Sequence, residues 1–93
     1  SPAAGEGSLA LVVSEVSGAP RAVRARALRE VASRAGIRLL SGVHVDALDD
    51  LIVAWRGQGP IPLPGGRATR VGRGTQARIL FEARSPEPTR DGG

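Results

Sequence analysis

Arg21, Arg24, Arg26 and Arg29 crowd one short stretch of the chain, and Arg34 and Arg38 follow closely. Guanidinium groups at this density suit a polyanion, because each phosphate they neutralise releases condensed counterions and makes affinity depend on salt. The overall balance points the same way, with 13 basic and 9 acidic residues and a net charge of +4. Every basic residue is Arg, however, and Lys, Met, Asn, Tyr and Cys are absent. Arg, Ala, Gly, Val and Pro are favoured by GC-rich coding, which weakens the count as evidence for nucleic acid. Two readings of the cluster therefore stand. In one it is a solvated helix face, with Arg24 laid along its aliphatic stem or paired with Asp46, Asp49 or Asp50. In the other the helix contacts phosphates.

Arg67, Arg70, Arg73 and Arg78 form a second basic group on a predicted hairpin, where arginines at a sheet edge also block edge-to-edge aggregation. No aromatic platform accompanies these arginines in the sequence, which favours phosphate and shape contacts over sequence-specific stacking of unpaired bases. The other chemistry-bearing residues do not make a catalytic set. His44 is the only histidine, and without a Cys, a second His or ligand-spaced carboxylates it reads as a packed or capping residue. Asp46, Asp49 and Asp50 lack the spacing of a calcium loop. No Ser stands in a triad-like context, and the glycine-rich run GGRATRVGRG sits in a hairpin instead of preceding a helix. Catalysis is not expected from these residues alone.

The elements that must position the arginines can be read from apolar spacing. Leu9, Leu11 and Val13 alternate with Ala10 and Val12, predicting a strand from Ser8 to Val13. Ser17 to Pro20 break the chain, and Pro20 suits the first turn of a helix running to about Ala35 and closed by Gly36. Its apolar face is Val23, Ala27, Leu28, Val31 and Ala35. At about 100° per residue, Arg26 and Arg29 lie opposite that face and Arg24 near its middle. Ser41 is the expected N-cap of a second helix from Gly42 to about Arg56, burying Val45, Leu48, Leu51, Ile52 and Trp55. Residues 60–64, with Pro alternating with Ile61 and Leu63, predict an edge strand. A turn at Pro64, Gly65 and Gly66 leads to strands Arg67–Val71 and Ala77–Glu82, joined over Gly72–Gln76. Ile79 and Phe81 share one face, and Arg70 and Arg78 are expected on the other. The fold class is α+β: a short N-terminal strand, two amphipathic helices and a hairpin with a preceding edge strand in a small antiparallel or mixed sheet.

The 93 residues make one domain at most. Residues 8–83 are expected to fold, and 1–7 and 84–93, built of Pro, Gly, Ser and charge, to be flexible tails. A unit this small buries only about 60% of its unfolded surface. With one Trp, one Phe and no Cys, the core must come from Val, Leu, Ile and Ala, without disulfide or zinc. That usage, with neither a secretory signal nor a membrane-length apolar run, predicts a cytoplasmic protein. The absence of any Met leads us to expect a piece of a longer chain.

Ala22, Arg24, Arg26, Leu28 and Arg29, then His44, Ala47 and Leu48, then Gly59, Leu63, Pro64, Gly65 and Gly66, with Arg70 in the next strand, occur in an order that resembles the tRNA(Ile)-lysidine synthetases. The resemblance spans about Ser8 to Glu82 and concerns the domain that follows the catalytic domain in that family. One position departs, the small Ala27 standing where a larger hydrophobic is usual. The resemblance implies a parent ligase that uses ATP and magnesium to adenylate the wobble cytidine of an isoleucine tRNA, after which the lysine amine displaces AMP. The family's ATP-binding loop, S-G-G-x-D-S, does not occur in this sequence. By resemblance, this piece is a non-catalytic, cofactor-free substrate-binding domain that helps to dock tRNA(Ile) through Arg24, Arg26, Arg29 and Arg70, beside its own catalytic domain. A stand-alone interaction or dimerisation module, kept soluble by its arginines, is the competing reading. Salt-sensitive RNA binding would favour the first, and concentration-dependent mass the second.

Overall fold

The computed structural model describes residues 8–84, so of the expected tails at 1–7 and 84–93 only Arg84 is described, its amide donating to Gly65 O, and the rest lie outside the described residues. Strand β1 (Ser8–Val12) runs into one turn of helix, α1 (Val13–Val16), and the long helices α2 (Arg21–Arg34) and α3 (Gly42–Val53) follow. Strands β2 (Ile61–Leu63), β3 (Gly66–Val71) and β4 (Arg78–Ala83) come next, with a 3-10 turn at Gly74–Gln76 between the last two. They form an antiparallel sheet of order β1-β4-β3-β2. The α+β class and the order of elements expected from the sequence are therefore observed.

The alternation of β4 explains its central place. Ile79 and Phe81 are fully buried on the face that carries Leu11, Ala68 and Leu63. Both long helices cover that face, Leu28, Ala32 and Ala35 coming from α2 and its end, and Val45, Leu48, Leu51 and Ile52 from α3. A half-apolar sheet needs one such layer to close a core. Pro62 sits in edge strand β2, where its missing N–H leaves no gap in an interior ladder.

The helix ends follow from local chemistry. Gly36, at φ 99°, ends α2 in a Schellman motif, with Ile37 N–H donating to Ala32 O at 2.8 Å and Gly36 N–H to Ser33 O at 3.0 Å. Ile37 is thereby turned into the core. Ser41 caps α3, its Oγ accepting from the His44 amide while His44 Nδ1 accepts from the Ser41 amide at 3.0 Å. His44 is thus a capping residue, with the ring proton on Nε2. Ser41→Ala is expected to cost about 1 kcal/mol, read as a fall of about 5 °C in the thermal midpoint by circular dichroism.

Four features differ from the sequence expectation. β1 stops at Val12 because the Val13 amide turns to Ala77 O at 3.0 Å and begins α1. Pro20 is the N-cap of α2, one residue before its first turn. Val23 is exposed, since the first turn of α2 meets α3 through ion pairs instead of apolar contacts. Helix α3 ends at Val53, short of Arg56, and leaves Trp55 outside the core. The Gln58 side chain accepts from the Arg56 amide at 2.7 Å, and Gly57 adopts φ 85°, which together turn the chain where the helix could have continued.

Candidate nucleic-acid interface

Helix α2 divides its arginines between two directions. Arg21 and Arg24 point to α3, whose Asp46 and Asp49 stand at the same three-residue spacing. Arg24 Nε donates to Asp49 Oδ1 at 2.6 Å and Nη2 to Oδ2 at 3.0 Å, a bidentate fork, while Nη1 donates to Ala19 O at 2.7 Å. Asp49 is buried at 5% exposure, so this pair lies at the edge of the core. The hydrogen bond that Asp49 accepts raises the Arg24 pKa above its ordinary value, against the opposing effect of desolvation. Arg21 pairs with Asp46 at the surface.

Arg26 and Arg29 point elsewhere. Both are exposed and neither has a carboxylate partner among the described residues. Arg29 Nη1 donates to Leu40 O at 2.9 Å, which steadies the side chain against the connection that also carries exposed Arg38. Arg34 is different, pairing one turn back with Glu30 at 3.0 Å.

On the hairpin the sequence expectation needs correction. Arg70 lies directly opposite Ile79, so the two share the inner, helix-covered face, whereas Arg78 is on the outer face as expected. The expected strands placed the turn differently by one residue, which is enough to invert a side chain. Half-buried Arg70 donates from Nη1 to Leu51 O at 2.7 Å, satisfying a carbonyl in the last turn of α3. Its guanidinium carbon stands 5.0 Å from the centroid of the Trp55 ring. An aromatic group therefore does accompany the second basic cluster, brought there by the fold from the end of a helix. The signal that could have found it was the position of Trp55 at the very end of the apolar stripe, two residues before Gly57.

Of the remaining hairpin arginines, Arg73 is exposed without a carboxylate partner among the described residues, and the other two are engaged in structure. Arg67 pairs with Glu82 across β3 and β4 at 3.0 Å, and Arg78 donates to Gln76 O. The glycine-rich run offers no phosphate cradle at its two tight glycines, because the space beside the Gly66 and Gly72 α-carbons is filled by Glu82 O and Gln76 O. Asp46 and Asp49 already face arginines, and among the described residues no three His, Asp or Glu side chains converge as ligands for magnesium or another metal.

Residues 11–75 match the family described as the TilS substrate binding domain. Similar curated proteins include the tRNA(Ile)-lysidine synthase of Thermobifida fusca (strain YX), 46% identical over 81 residues that cover 85% of this chain and 24% of that protein. The tRNA(Ile)-lysidine synthase of Leifsonia xyli subsp. xyli (strain CTCB07) is 43% identical over 67 residues, 72% of this chain and 20% of that protein. That of Salinispora arenicola (strain CNS-205) is 48% identical over 60 residues, 60% of this chain and 17% of that protein. The chain spans about a quarter of the length of these relatives, or less. No solved structure gives a significant match.

Proposed function

The chain belongs to the family of TilS substrate binding domains, and on that premise we propose that it docks tRNA(Ile) for a cytoplasmic ATP-dependent ligase that joins lysine to the wobble cytidine. In this reading a catalytic domain elsewhere in the longer protein binds ATP and magnesium and performs both chemical steps. In the same reading the residues described here hold and orient the RNA.

The observation that carries the reading is the division of α2. Asp46 and Asp49 neutralise Arg21 and Arg24, so the positive charge left for a partner is that of Arg26 and Arg29, on exposed helix surface beside Arg38. A rigid helix presenting guanidinium groups at fixed spacing is suited to backbone phosphates, which fix orientation without reading sequence. We assign phosphate contact to Arg26 and Arg29. Arg24 and Arg70, bonded to Asp49 and to Leu51 O, keep α2, α3 and the hairpin in register behind that surface.

Binding of the chain to tRNA(Ile) at several salt concentrations tests this. Affinity should fall steeply with salt, and Arg26→Ala with Arg29→Ala should weaken binding and reduce the log–log slope by about 2, one for each lost phosphate contact. Equal slopes for the two proteins would remove these arginines from the interface. Mass that rises with concentration, without RNA binding, would favour a homodimer module instead.

A further inference from the structure

Trp55 and Phe81 are the only aromatic residues of the chain, and they have opposite fates. Phe81 is fully buried, whereas Trp55 remains 42% exposed. The exposed ring nevertheless has a neighbour in the fold. Arg70 lies against it at 5.0 Å, and Arg70 is itself pinned to Leu51 O at 2.7 Å. Arg70 Nε is buried without a hydrogen-bond partner, a cost that would be relieved if the side chain swung outward. The guanidinium instead lies against the indole and donates to the helix end. The result is a flat, pre-ordered aromatic surface with little side-chain entropy left to lose on binding.

The charge around the ring selects among possible partners. Arg56 follows Trp55 directly and is exposed, and neither Arg56 nor Arg70 has a carboxylate partner among the described residues. An aromatic face flanked by uncompensated cations suits a ligand that is both flat and anionic. We propose that Trp55, positioned by Arg70, is a stacking platform for an unpaired nucleobase, with Arg56 placed to meet the adjoining phosphate. The proposal rests on the RNA-docking reading and adds a single-stranded contact to the phosphate contacts of α2. Base stacking on an aromatic side chain tolerates any sequence, so the platform would grip an unpaired nucleotide without identifying it.

Trp55 is the only tryptophan, so its emission reports on this ring alone. The chain is titrated with a short single-stranded oligoribonucleotide and with a duplex of the same sequence, while the anisotropy of a labelled copy follows binding independently. The expected result is saturable quenching of Trp55 by the single strand and little by the duplex. Trp55→Ala should weaken single-strand binding about tenfold, and Trp55→Phe should retain most of it. If RNA binds with salt sensitivity while emission stays constant and Trp55→Ala binds like the unaltered chain, the platform is overturned and phosphate docking stands. If no RNA binds, the docking reading falls and the platform with it. If Trp55→Ala changes only the sedimentation mass, the ring is a protein contact and the proposal is wrong.

Discussion

Gly66→Ala lowers the stability of the domain by about 3 kcal/mol or more, a fall of about 15 °C in the thermal midpoint. A Cβ at this position would stand 2.3 Å from Glu82 O, 2.8 Å from Ile37 Cδ1 and 3.0 Å from Ala83 Cα. The Ile37 methyl can rotate away, but Glu82 O and Ala83 Cα belong to the backbone of β4. Relief requires β3 to separate from β4 where Gly66 opposes Ala83, next to the Arg67 and Glu82 pair. That is a large share of the whole, since a domain this small has about 5 to 10 kcal/mol of stability. Gly65 precedes it in the same turn at φ 83°, with open space around its α-carbon. Gly65→Ala should therefore incur only the left-handed backbone penalty of about 1 kcal/mol. Differential scanning calorimetry of the two variants decides what the L-P-G-G run is for. A midpoint unchanged by Gly66→Ala, with RNA affinity lost, would make the run a ligand contact. The structure predicts the reverse order of effects, instability first, because both glycines are needed to fold the chain back between β2 and β3 and to let β3 approach β4.

How far the sequence could be read depended on whether a feature was set by neighbours in the chain or by the meeting of distant elements. Ser41 and His44 form a local cap, of which the sequence showed Ser41 as the N-cap and His44 as a packed or capping residue. Helical periodicity placed Arg24 within the apolar face, and three aspartates on the next helix offered the only nearby carboxylates, of which Asp49 is the partner. Trp55 and Arg70 were misplaced for a shared reason. The end of α3 is set partly by Arg70 reaching Leu51 O from the hairpin, and the face taken by Arg70 is set by a turn containing two glycines with positive φ. Neither event has a signature in the periodicity of its own segment. Val23 is exposed for the same kind of reason, since the ion pairs with α3 occupy the contact that an apolar residue would have used.

Asp49→Ala is expected to lower the thermal midpoint by about 10 °C, because it leaves the Arg24 guanidinium unpaired at the edge of the core. Only 14% of the Arg24 side chain is exposed, and Ala19 O cannot replace both carboxylate oxygens. The raised pKa of Arg24 means that its contribution to stability is present at neutral pH and is lost only as pH rises through the higher folded value. Deprotonation of Arg24 offers no relief to Asp49→Ala at neutral pH, because a guanidinium stays charged there even without a carboxylate partner. Replacing both partners, Arg24→Met with Asp49→Leu, should recover most of the loss, since apolar groups of similar volume need no counter-charge. The same double variant separates the two roles open to Arg24. If Arg24 serves α2 and α3 by holding Asp49, the stable double variant binds tRNA(Ile) with unchanged affinity and salt slope. If Arg24 contacts phosphate, the slope drops by about 1 although the fold is intact. The bidentate geometry favours the first outcome, and it leaves Arg26 and Arg29 as the residues through which α2 meets the RNA.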